Sequence, residues 1–238
     1  MASESPLRAV LFDIDGTLVD SNYLHIDAWD RALAEVDAPA PVWKIHRSIG
    51  MDSKKLLEAV AGGVPEETTS RAKELHSDYY KEAAGRLRPF DGAQELIRAI
   101  DARGIRVVLA TSAPEDELAI LRGVLDVDDA VSEVTSSGDV GTAKPEPDII
   151  EVALGKAGVQ PGEAVMVGDS VWDVQAAGRA GVTAIGVLTG GVSEAELRDA
   201  GAEEVYQDVA ALLEALNESL IGRRGRGGTG EAGPGISY

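Results

Sequence analysis

From residue 105 onward, short apolar runs alternate with amphipathic stretches, and this alternation constrains the fold more than any other feature of the 238-residue sequence. Residues 105–110 (IRVVLA), 131–135, 164–167 and 183–187 read as strands, and Val205 marks a short edge strand. Residues 92–103, 115–125, 148–157, 171–180, 194–200 and 209–220 read as helices. Upstream, residues 7–12 (LRAVLF) form one more buried-strand pattern. Strands separated by helices must lie parallel in one sheet with helices on both faces. The expected class is therefore α/β, a doubly wound parallel sheet.

Residues 22–85 break the alternation. Leu24, Ala28, Leu33 and Val36 follow helical spacing, and no strand pattern intervenes. Pro39, Pro41, Gly50, Gly62, Gly63 and Pro65 divide the stretch into about four helices. The expected organisation is a core of residues 1–20 and 87–221, an inserted α-helical cap at 21–86, and a Gly-rich tail at 222–238. The tail has no apolar periodicity and is expected to be disordered, with Arg223, Arg224 and Arg226 solvated.

Ligands in such sheets bind beyond the carboxyl ends of the strands, and polar residues collect there. Asp13 and Asp15 follow the first strand, Thr111 and Ser112 follow IRVVLA, and Asp169, Ser170 and Asp173 follow the strand at 164–167. Lys144 precedes the helix at 148–157. Each alone could be a turn or a helix cap. Together they place a cation, two hydroxyls and four carboxylates on one rim. On an extended chain, residues i and i+2 point the same way, so Asp13 and Asp15 can flank a phosphoryl group. One can attack phosphorus while the other handles the proton of the leaving oxygen. Carboxylates tolerate an anionic phosphate only with a cation between them, and Mg²⁺, which prefers oxygen ligands, is the expected cofactor. Asp169 can supply a further oxygen, while Lys144, Thr111 and Ser112 can hold the non-bridging oxygens.

The residues Asp13-Ile14-Asp15-Gly16-Thr17, Thr111-Ser112, Lys144-Pro145 and Gly168-Asp169-Ser170-Val171-Trp172-Asp173 resemble, in order, the four motifs of the haloacid dehalogenase-like hydrolase superfamily. The helical insert resembles the small cap of the subgroup containing phosphoglycolate phosphatase and β-phosphoglucomutase. The resemblance spans nearly all of residues 7–220 and implies a Rossmann-like core. It implies Asp13 as the nucleophile forming an aspartyl-phosphate, and Asp15 as general acid and then base. It implies a phosphate site of Thr111, Ser112 and Lys144, and Mg²⁺ held by Asp13, Asp169 and the main-chain carbonyl of Asp15. Asp173 would support the metal; motif four often has two adjacent acids, and Ser170 stands here in the second place.

In the cap, His25 and Arg47 are the candidates to reach a substrate. Trp29 is read as helix packing, Lys54 and Lys81 as surface charges, His46 and His76 as structural, and Trp172 as packing at a helix start. The reading is a Mg²⁺-dependent phosphatase for a small phosphate monoester, phosphoglycolate-like or sugar-phosphate-like. The alternative is a β-phosphoglucomutase-like mutase, against which Ser53 stands where such mutases carry an arginine. A dehalogenase needs no second acid, and a phosphonate hydrolase needs a cap lysine at a position next to Lys54. A non-catalytic binding protein would have no need of the full motif set.

The net charge of −19 disfavours nucleic acid as a partner. With no cysteine, thiol nucleophiles and disulfides are excluded. No apolar run is long enough to span a bilayer, and Met1 to Pro6 lack a signal-peptide pattern. A cytoplasmic monomer or homodimer is expected.

Overall fold

The computed structural model describes residues 5–51, 53–139 and 144–225. Six parallel strands form one sheet in the order β3-β2-β1-β4-β5-β6. They are β1 (Ala9–Phe12), β2 (Arg106–Ala110), β3 (Glu133–Thr135), β4 (Ala164–Gly168), β5 (Thr183–Val187) and β6 (Glu204–Tyr206). The order reverses at β1: β2 and β3 extend to one side, β4 to β6 to the other. Asp13 and Asp169 thus follow the two strands that meet at the switch point.

The side-chain period of two divides the sheet residues between two cores. Val10, Phe12, Val107, Leu109, Val165 and Val167 face α5 (Ala93–Asp101), α6 (Glu115–Leu125), α10 (Val209–Glu214) and α11 (Leu220–Gly225). Leu11, Val108, Ala110, Ala164 and Met166 face α7 (Asp148–Ala157), α8 (Val171–Arg179) and α9 (Glu194–Ala200). Because both faces are covered, β1 and β4 are buried along their whole length.

The insert consists of α1 (Asn22–Glu35), α2 (Val42–Ser48), α3 (Ser53–Ala61) and α4 (Glu66–Ala83). Ile26, Trp29, Leu33, Ile45, Leu56, Leu57, Val60 and Ala72 give it a core of its own. Its two linkers run side by side. Asp20 N–H donates to Arg88 O at 2.9 Å, Phe90 N–H donates to Leu18 O at 2.9 Å, and Val19 bridges Pro89.

Two expectations at the C-terminus change. The helix expected at 209–220 breaks after Glu214, where Ser219 donates its hydroxyl to Leu216 O at 2.9 Å and caps a turn. The chain then re-enters a helix through the residues expected to begin the tail. Gly222 is buried there, its missing Cβ position only 2.2 Å from Leu216 O. Arg223 pairs with Glu204 at 2.8 Å, and Arg224 donates to Gly162 O at 2.5 Å. These contacts and the buried Leu220 and Ile221 hold 222–225 in α11. The rest of the expected tail, with Arg226, lies outside the described residues.

Candidate active site

β1 ends at Phe12, so the side chains of Asp13 and Asp15 are set by a turn and not by strand alternation. Asp13 N–H donates to Val167 O at 3.0 Å, which ties the end of β1 to β4. Leu18 and Val19 N–H both donate to Ile14 O, closing the turn. Gly16 sits in it at φ +78°, and a Cβ there would lie 2.4 Å from Asp169 Oδ2 and 2.1 Å from Asn22 Nδ2. Only glycine lets this backbone pass so close to Asp169. The turn sends Asp13 into the core and Asp15 toward the helical insert, and both line one cavity of about 570 Å³ between insert and core.

At the core end of this cavity, Asp13, Asp169 and Asp173 bring carboxylate oxygens within 4.8 Å of one another, all three buried. Lys144, 2% exposed, reaches Asp13 Oδ1 at 2.5 Å and Asp173 Oδ1 at 2.7 Å. Burial alone would lower the lysine, but Asp13 and Asp173 outweigh it and hold Lys144 firmly protonated. One cation cannot balance three acids. Burial drives Asp13 well above the usual carboxylate range; Lys144 opposes this, and Asp173, Asp169 and Asp15 add to it. Asp169 is pushed up to about 7 by burial and then by Asp173, although Thr17 Oγ1 and Asn22 Nδ2 each donate to it at 2.9 Å. Asp173 accepts from the Ser170 hydroxyl at 2.6 Å and from Ser170 N–H at 3.1 Å, in the capping box that opens α8.

This donor set fits a hard divalent cation. It is oxygen-only, over-charged by its own acids, and walled by Gly16 and Gly190, where a Cβ would lie 2.1 Å from Asp169 Oδ2 in the second case. Asp15 does not contribute its carboxylate to the cluster, so a share in metal binding would fall to its main chain. Beside the cluster, Thr111 Oγ1 accepts from Ala113 N–H at 3.0 Å. Ser112 Oγ is buried without a partner among the described residues. An unpaired buried hydroxyl in an active-site wall is a ready ligand for an oxyanion.

At the insert end, Asp15 Oδ1 accepts from Ser21 Oγ at 2.6 Å and faces His25 Nε2 at 3.2 Å. Burial would raise Asp15, but His25 and Ser21 reverse the shift and hold it below its ordinary value. His25 is correspondingly raised: burial opposes the charge, and Asp15 prevails. His25 Nδ1 meets His76 Nε2 at 3.1 Å, and burial, followed by the charge on His25, keeps His76 neutral. Four rings stack in one pile. Tyr80 lies 3.9 Å from His25 between centroids, and Trp29 lies 4.2 Å from His76.

Of the candidates in the insert, His25 reaches the site and Arg47 does not line this cavity. Arg47 leaves α2 toward the core and pairs with Glu196 of α9 at 2.5 Å, beside a separate cavity of about 110 Å³. Trp29 packs in the insert core, as expected, and also lines the main cavity. Lys54 is exposed on α3, and Lys81 pairs with Asp116 at 2.5 Å. His46 contacts Gly190 O at 3.0 Å, a link from insert to core, and Trp172 lines the smaller cavity. His76, read as structural, is instead the partner of His25. Tyr80, Glu117, Thr17 and Asn22 were given no role by sequence, Thr17 being named only within its motif. The spacing did contain a signal for one of them: Tyr80 is one turn from His76 on α4, as Trp29 is from His25 on α1. Glu117 gave none; it reads as one more first-turn acid of α6. It is 3% exposed, accepts from Ser77 Oγ at 3.1 Å across the insert–core boundary, and is raised by burial.

Known proteins resemble this chain in sequence and in fold. The phosphoglycolate phosphatase of Rhodospirillum rubrum is 32% identical over 215 residues, covering 86% of this chain and 89% of the relative. A hydrolase of solved structure from Pseudomonas syringae superimposes with a TM-score of 0.85 at 34% identity, over 89% of this chain and 98% of that one. A β-phosphoglucomutase from Clostridium difficile shares the fold, with a TM-score of 0.78 at 19% identity over 89% of this chain and 96% of its own. The family model for haloacid dehalogenase-like hydrolases matches residues 7–181, and the chain belongs to that family.

Proposed function

We propose that the protein is a Mg²⁺-dependent phosphatase of small phosphate monoesters, of the phosphoglycolate or sugar-phosphate kind, working through an aspartyl-phosphate on Asp13. The observation that carries this reading is the division of labour between two acids two residues apart. Asp13 is clamped by Lys144 inside the buried cluster, whereas Asp15 stands outside it, paired with His25. Lys144 fixes the attacking oxygen of Asp13, and the Asp15–His25 pair keeps a transferable proton outside the cluster.

Asp13 attacks phosphorus, and the bond to the ester oxygen breaks as that oxygen takes a proton from the Asp15 side of the cavity. The Asp15–His25 pair holds that proton between Oδ1 and Nε2. Asp15, left ionised beside a His25 that has given up its proton, then draws a proton from the water that cleaves the acyl phosphate. Lys144 and Ser112, with Thr111, orient the phosphoryl oxygens. Mg²⁺ would be held by Asp13, Asp169 and the main chain of Asp15, with Asp173 in support, and would offset the negative charge that phosphate adds to the cluster. Residues 21–86 act as the cap, which excludes water when its links to the core are made. A cytoplasmic monomer or homodimer belongs to the same reading, as does a small ester for partner. No helix among the described residues is long and apolar enough to cross a membrane.

The test is phosphate release from a panel of monoesters, with Mg²⁺ and with EDTA, using Asp13→Asn as control. Release that requires both Mg²⁺ and Asp13 supports the reading. Release unaffected by Asp13→Asn removes Asp13 as nucleophile. Isomerisation of a sugar phosphate with no free phosphate favours the mutase.

A further inference from the structure

The phosphate end of the cavity is made by core residues, so substrate identity must be read by the remaining walls. Those walls are short of available cations, the His25 imidazole being committed to Asp15. Lys144 is committed to Asp13 and Asp173, and Lys81 to Asp116. Arg47 points to Glu196 and not into the cavity. Lys73 reaches the lining only as an exposed side chain at the mouth, beside Glu74. The lining instead offers the buried Glu117, with hydroxyls from the half-buried Ser53 and Ser77 and the exposed Ser137. Ser77 Oγ accounts for one oxygen of Glu117, and no lysine or arginine ion pair reaches this carboxyl among the described residues.

We propose, resting on the phosphatase reading, that the leaving group is an uncharged, hydroxylated alcohol and that Glu117 is the specificity-determining residue that disfavours a carboxylate in its place. A hydroxyl can donate to Glu117 and accept from the serines. A carboxylate can do neither to Glu117, and it brings like charge into a buried cavity that already holds Asp13, Asp15 and Asp169. Trp29, Ile49, Met51 and Leu56 in the same lining supply apolar surface of the kind that carbohydrate and polyol carbons cover. Phosphoglycolate, the substrate in the name of the Rhodospirillum rubrum relative, is on this argument a poor fit here.

Three esters of nearly one size separate the possibilities: 2-hydroxyethyl phosphate, 2-phosphoglycolate and phosphoethanolamine. In the wild type, kcat/KM for 2-hydroxyethyl phosphate is expected to exceed that for 2-phosphoglycolate by about tenfold or more. Glu117→Gln keeps an acceptor for Ser77 and removes the charge. It is expected to shrink that ratio by about tenfold, mainly through KM, and to lower the ratio of phosphoethanolamine to 2-phosphoglycolate. A wild-type preference for 2-phosphoglycolate overturns the proposal, whether or not the variant folds. So does a substrate ratio that Glu117→Gln leaves unchanged, or a selective loss of 2-phosphoglycolate turnover in Lys73→Gln. If neither these esters nor sugar phosphates release phosphate with Mg²⁺, the phosphatase reading falls and takes this proposal with it.

Discussion

Asp169→Asn should make the metal-free protein more stable, although it removes an acid at the centre of the site. Asp169 sits at about 7 in the fold, chiefly because it is buried and secondly because Asp173 is close. In the unfolded chain its pKa returns to about 3.9. A carboxyl whose folded pKa is raised stabilises the fold fully only below the unfolded value, and loses that contribution as pH climbs toward the folded one. At about 1.4 kcal/mol per pH unit, the ionised Asp169 costs roughly 4 kcal/mol at pH 8.5, and about 1.5 kcal/mol at pH 5. Asparagine has no such cost. It can accept from Asn22 and donate to Thr17 if that hydroxyl rotates, which forfeits about 1 kcal/mol of hydrogen bonding. The variant should therefore gain about 3 kcal/mol over wild type at pH 8.5 in EDTA, worth about 6–12 °C in Tm for a chain of this size. At pH 5 the gain should nearly vanish. The assay is urea or thermal unfolding of both proteins at the two pH values, with EDTA and with Mg²⁺. Mg²⁺ should raise the wild type far more than the variant. A variant less stable than wild type at pH 8.5 in EDTA, or a difference independent of pH, would refute the reasoning about the cluster's excess charge.

The remaining predictions concern single parts of the site. Asp15→Asn should lower kcat by about 10²- to 10⁴-fold with little change in unfolding midpoint, as expected for a proton carrier outside the cluster; steady-state phosphate release measures it. Gly16→Ala should cost more than about 2 kcal/mol, because alanine is strained at φ +78° and its Cβ collides with Asn22 and Asp169, and it should also blunt the Mg²⁺-dependent rise in Tm. Arg47→Ala breaks an exposed pair with Glu196, so global stability should move by less than about 1 kcal/mol. Because that pair joins the insert to the core away from the linkers, KM should rise more than kcat falls, as steady-state kinetics would show.

Much of the core was legible because its signals are local. Alternating apolar runs gave every strand from β1 to β6, with ends shifted by no more than about two residues, since a buried parallel strand must be apolar on both faces. The motif residues Asp13, Thr111, Ser112, Lys144, Asp169 and Asp173 all line one cavity, as the rule for strand ends requires. The insert was legible as helices but not as a wall. A basic residue on a helix looks the same whether it faces a ligand or a neighbouring acid, and Arg47 faces Glu196. A first-turn glutamate looks like dipole compensation until the insert closes over it, as happens at Glu117. The break at 215–219 was missed because 209–220 keeps apolar residues at helical spacing through the turn.

Residue types and spacing alone therefore determined a parallel α/β sheet, an inserted helical unit and an acidic site at the strand ends. These follow from periods of two and about four and from where polar residues interrupt them. Tertiary structure alone decided which acids share a cluster and which acid is left out. Lys144 meets Asp13 across 131 positions because α7, which it precedes, packs across β1, β2 and β3, and His76 meets His25 across 51 because α1 packs on α4. Asp15, only two residues from Asp13, faces the other way because the turn at Gly16 reverses the chain and His25 and Ser21 hold the carboxylate on the insert side.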